Sequence, residues 1–145
     1  MYEVIQIVHS YWAYLVLLVL VLATFNAIIK TLGKKPFAPQ DFRISLFTLI
    51  VSHIQLLIGL ILYFVSPYFN AFSEVGMKGV MSDSTLRLYL VEHPITMIIA
   101  IVLITVGYSK HKKKLASNKK LRTIAIFYAL ALLLILSRIP WNAWF

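Results

Sequence analysis

Four long apolar runs decide what this chain can fold into. They cover about Ile7–Ile29, Ser45–Val65, Leu88–Tyr108 and Thr123–Ile139, with Pro67 closing the second and Pro140 the fourth. At roughly 17–23 residues each, and a helical rise of about 1.5 Å per residue, every run covers a hydrocarbon core about 30 Å thick with modest tilt. The backbone of a spanning segment must satisfy its own hydrogen bonds, and a helix does so within the segment. With 61% hydrophobic and 13% charged residues, the chain is far from the half-apolar, quarter-charged composition of a soluble domain. The expectation is an all-α integral membrane protein, a four-helix bundle forming one domain over residues 1–145, multi-pass in the lipid bilayer.

The net charge of +9 matters less than where its cations fall. Lys30, Lys34, Lys35 and Arg43 bracket the first inter-helix loop. Seven more, Lys110 to Arg122, fill the third, so eleven of the fourteen lie on one side and only Lys78, Arg87 and Arg138 on the other. Basic loops stay in the cytoplasm, which predicts an N-out/C-out orientation. The lysine run is then a topology signal, and no nucleic-acid partner is expected. No cysteine is present, which excludes disulfides, Cys-ligated zinc, iron–sulfur clusters and thioether-linked haem. Glu3 and the lack of Lys or Arg before the first apolar run argue against a secretory signal.

The loop Gly33–Pro39 reads as a polar turn with proline punctuation. The longer segment from Pro67 to Arg87 mixes Phe69, Phe72 and Met77 with Glu74, Lys78 and Asp83, so it reads either as a short amphipathic cover on the outer surface or as a plain connector. Tyr11, Trp12, Tyr14, Tyr68, Tyr89, Trp141 and Trp144 cluster near the outer boundary as an aromatic belt.

Ionisable groups inside a span are expensive and mark function by default. Of four histidines, His111 sits among lysines and reads as solvated. From helix rise, His9 and His93 lie roughly 3 and 7 Å below the outer boundary, whereas His53, on a helix of opposite direction, lies about 18 Å down and too deep to share an ion with them. Two imidazoles at one level suit a haem standing between helices, with iron held by His9 and His93 and the propionates turned to water. The outer cations available to the propionates include Arg138, in Ser137-Arg138-Ile139-Pro140-Trp141, and Arg87. On the second helix Ser52, Gln55, Gly59 and Tyr63 form one stripe; on the third, His93, Met97 and Ala100 do, and Ala13 lies one turn below His9. Such small residues serve close approach of a macrocycle or plain helix packing. A bare metal would want a third ligand, for which only Glu92 and Glu3 are near. His53 is open between a hydrogen bond to Ser52, Gln55 or a neighbouring helix, a second haem, and a proton or quinone contact.

With His9, the Gln55-Leu56-Leu57-Ile58-Gly59 run and His93 in place, the chain resembles one four-helix half of a heme A synthase. It looks still more like the small single-unit four-span bacterial proteins labelled cytochrome b, which are similar in the opening His9-Ser10-Tyr11-Trp12, the run Ser52 to Leu60, Glu92-His93-Pro94 and Arg138-Ile139-Pro140-Trp141. The resemblance implies haem b (iron) ligated by His9 and His93 near the outer ends of the first and third helices, and a place in the bacterial inner (cytoplasmic) membrane. In the synthases a glutamate stands three residues before the first histidine and an arginine follows it; here those places hold Gln6 and Ser10. The carboxylate for haem-methyl oxidation is therefore missing.

The expected activity is electron transfer near the outer face, with quinol as the candidate donor, by a stand-alone cytochrome that pairs with itself or by a subunit of a respiratory assembly. A heme A synthase-like haem-modifying enzyme and a cofactor-free membrane adaptor are the alternatives.

Overall fold

The computed structural model describes residues 1–144, and every regular element among them is helical. The long helices are α1 (Tyr2–Leu32) and α2 (Pro39–Val65), then, after the short α3 (Ala71–Glu74), α4 (Gly76–Ser82) and α5 (Ser84–Arg87), α6 (His93–Lys113) and α7 (Ser117–Arg138). A short α8 (Trp141–Trp144) follows Pro140. A π-helical turn, Leu88–Glu92, joins α5 to α6 in one continuous rod. Four helices are thus long and apolar enough to cross a membrane: Tyr2–Leu32, Pro39–Val65, Ser84–Lys113 and Ser117–Arg138.

Each rod outruns its apolar run because the helix continues into polar residues, and two of the ends are closed by specific contacts. Asp41 folds back so that its Oδ2 accepts the Ala38 N–H at 2.7 Å, behind Pro39 at the first helical position. α1 stops where Lys34 takes a left-handed φ of 52° and the Lys35 N–H reaches the Lys30 carbonyl at 2.9 Å. Gly76, at φ +70°, supplies the left-handed break between α3 and α4.

α1 packs on α2 and α7, and α6 packs on the same two helices, less extensively on α2. α1 and α6 therefore face each other across the space between. The core is built on Leu20, Ala23 and Ala27 of α1, Ala100 and Ile104 of α6, and Tyr128 of α7. Alanines at these contacts let the backbones approach, as membrane helices require. The fully buried Tyr128 hydroxyl donates to the Ser45 carbonyl at 2.9 Å, which ties α7 to α2.

His111 is not solvated. α6 continues to Lys113, and the helical period turns His111 inward, fully buried against Phe37, Phe42 and Tyr108, while Lys110, Lys112 and Lys113 remain outside. Its Nδ1–H donates to the Tyr108 carbonyl. At the same end Asp41 is buried, ion-paired with Lys30 and accepting from Asn26 at 2.7 Å.

Candidate functional site

Tight packing fails at the opposite end, where a cavity of about 750 Å³ opens between α1, α2 and α6. That volume falls in the range of small-molecule and cofactor sites. Its wall is mostly apolar, and none of its lining residues carries a fixed charge. Phe72 and Met77 reach it from the segment between α2 and α6, so that segment covers part of the site.

Two histidines look into this space. His9 and His93 both line it, their ring centroids 6.3 Å apart and their planes at 82°. A metal–imidazole nitrogen bond is about 2.0 Å, and the nitrogen lies about 1.2 Å from its ring centre, so rings gripping one ion from opposite sides stand about 6.4 Å apart. The observed spacing matches that separation.

The local chain explains how each ring is held. Pro94 has no N–H for the Leu90 carbonyl four residues back. The turn widens there, the His93 N–H bonding Leu88 five residues back, and the Tyr63 hydroxyl of α2 donates to the Leu90 carbonyl at 2.9 Å. His93 Nδ1 lies 2.8 Å from the Arg138 carbonyl. A carbonyl only accepts, so Nδ1 carries the proton and Nε2 keeps its lone pair, the tautomer a metal-ligating histidine needs.

His9 is held from α2. Gln55 Nε2 donates to the His9 carbonyl at 2.8 Å, and a Cβ at Gly59 would stand 3.2 Å from His9 Cε1. Glycine here makes room for the imidazole of α1. One turn further in, Trp12 Nε1 donates to the Val51 carbonyl at 2.8 Å, which fixes the α1–α2 register.

The remaining expected residues divide. Ser52, Gln55, Gly59 and Tyr63 all line the cavity, as do Ala13 and Met97, whereas Ala100 is buried in the core. Neither Arg87 nor Arg138 lines it. Arg87 Nε pairs with Glu92 at 3.2 Å and its Nη1 donates to the Met81 carbonyl at 2.9 Å; the exposed Arg138 side chain donates to the Ser137 carbonyl at 2.8 Å. Arg138 reaches the site through its main chain alone. His53 also lies outside the cavity, exposed on α2, its Nδ1–H on the Leu49 carbonyl at 2.8 Å and its Nε2 3.4 Å from the Thr105 hydroxyl of α6. Among the described residues no three His, Asp or Glu side chains gather as a metal site.

Sequence reasoning missed the Arg138 carbonyl and the Tyr63 hydroxyl as partners. The readable signal for the second was Pro94, which leaves a carbonyl four residues earlier in want of a donor. Comparison with protein-family models, curated proteins and solved structures finds no match for this chain.

Proposed function

We propose that this chain is a membrane cytochrome, a four-helix bundle with both termini outside, that holds b-type haem between His9 and His93. The observation that carries the reading is the 6.3 Å spacing of two imidazoles lining one cavity. With only two such ligands present, a bare divalent ion would lack its usual third protein donor, whereas a porphyrin brings four nitrogens of its own and asks the protein for two. Haem iron, when bound, exchanges single electrons.

The chain's own residues do the rest. The Arg138 carbonyl keeps His93 in the ligating tautomer, Gly59 and Gln55 seat His9, and the mostly apolar walls suit the macrocycle. Tyr2, Tyr68 and Tyr89 line the cavity, and their hydroxyls are further donors for the haem carboxylates beside Arg87 and Arg138. Electron transfer is favoured over haem modification because no lining residue is acidic and Gln6 and Ser10, both on the wall, cannot take a proton at neutral pH. The resemblance to single-unit bacterial cytochromes b supports a reading in which the protein sits in the inner membrane and passes electrons near the outer face from a donor such as quinol, as a self-paired unit or a subunit of a respiratory assembly.

The test is expression with ample haem, purification in detergent, and mass spectrometry of the extracted pigment. Unmodified haem b is expected. A modified macrocycle would favour the synthase-like enzyme, and no pigment would favour the adaptor.

A further inference from the structure

His53 of α2 and Thr105 of α6 meet with one hydrogen too few. The Thr105 hydroxyl has a single proton, and its oxygen lies 2.7 Å from the Ile101 carbonyl but 3.4 Å from His53 Nε2. The carbonyl only accepts, so the proton goes there. His53 Nδ1 lies 2.8 Å from the Leu49 carbonyl, another pure acceptor, so Nδ1 carries the imidazole proton. The lone pair of Nε2 and the Thr105 oxygen therefore face each other as two acceptors, and the pair is not the interhelical hydrogen bond that such residues ordinarily make in a bundle.

His53 is exposed, on a surface that faces lipid in a four-span protein, where an ionisable group is expensive and marks function. Close by, the cavity wall is itself outer surface: Leu60 of α2 and Ile98 of α6 both line the cavity and are exposed. Leu60 stands seven positions from His53, and Ile98 seven from Thr105. Each pair thus shares a helix face, two turns or about 10 Å apart. His53 and Thr105 close the inner end of a lateral mouth that joins the cavity to the lipid.

We infer that this mouth binds a hydroquinone from the bilayer, one of its hydroxyls donating to His53 Nε2. The missing partner is a donor that travels in hydrocarbon, and the apolar Leu60 and Ile98 side chains suit an aromatic ring. The oxidised quinone offers only acceptors and leaves the two lone pairs opposed, so the site takes the reduced form by preference. The inference deepens the proposed function by giving its electron donor a place, and it rests on that reading for the choice of hydroquinone among apolar hydroxyl compounds.

The experiment is an anaerobic calorimetric titration of the haem-loaded protein in detergent with tetramethylhydroquinone and with the corresponding quinone, in wild type and His53→Leu. Wild type is expected to bind the hydroquinone about tenfold tighter than the quinone. His53→Leu is expected to keep its Soret band and to bind the two forms equally. Should His53→Leu fail to accumulate, His53→Phe takes its place with the same expectation. Equal binding of the two forms by haem-loaded wild type, or a preference that survives loss of His53, overturns this inference alone. Displacement of the hydroquinone by an equal concentration of decanol overturns the choice of ligand. Wild type that binds no haem overturns the underlying reading and this inference with it.

Discussion

The His93 ring donates its Nδ1 proton to the main-chain carbonyl of Arg138, at 2.8 Å and across 45 positions of sequence. The contact joins the start of α6 to the last turn of α7, whose terminal carbonyls have no intrahelical donor. One hydrogen bond therefore satisfies a helix end and fixes which nitrogen of His93 faces the cavity. Because the acceptor is backbone, Arg138→Ala should leave haem binding within about twofold of wild type, while losing a surface cation worth well under 1 kcal/mol. A haem titration followed at the Soret band checks this; a large loss would mean that the guanidinium itself holds the ligand.

Gly59→Ala separates site from scaffold. Alanine is the better helix former by about 1 kcal/mol in a soluble helix interior, but its Cβ would stand 3.2 Å from His9 Cε1, so the ring must move by a few tenths of an ångström. The expected result is unchanged or slightly raised stability in detergent with haem affinity lowered about tenfold, the lower end of losses from disturbed ligand support. Parallel unfolding and haem titrations give the two numbers.

Tyr63→Phe strips the donor from the Leu90 carbonyl that Pro94 leaves without an N–H. A buried carbonyl without a partner costs about 1 kcal/mol or more, and the π turn carrying His93 should loosen. Lower stability together with a broadened or weakened reduced α-band is expected; equal stability and an unaltered band would show that the wide turn does not need α2.

At the basic end, Asp41→Ala leaves Lys30, Asn26 and the Ala38 N–H without their acceptor. Breaking a buried pair from one side costs about 3 kcal/mol, so a marked fall in detergent stability is expected with no change in the visible spectrum of whatever folds. The same spectrum should survive His111→Ala, whose ring packs with Phe37 and Phe42 far along α6 from the cavity.

The four spans can be read from the chain because an apolar run of membrane length has few alternatives, and helix rise alone sets His9 and His93 near one level and His53 deeper. Helix ends are harder, since α1, α2 and α7 run on through polar residues that hydropathy does not count. The same holds for α6: the lysine neighbours of His111 describe composition, while its burial follows from the phase of a helix that continues to Lys113. For Arg87 and Arg138 the sequence offers charge and level alone. Charge cannot show that Glu92 and the Met81 carbonyl already hold one guanidinium, nor that the other residue acts through its carbonyl.

Whether His9 and His93 grip one iron is tested most directly by the dithionite-reduced visible spectrum of the purified protein. The expected result is a sharp α-band in wild type and in His53→Ala, and its loss in both His9→Ala and His93→Ala. A band that survives both substitutions, or one that His53→Ala abolishes while His9→Ala leaves it intact, would contradict the account.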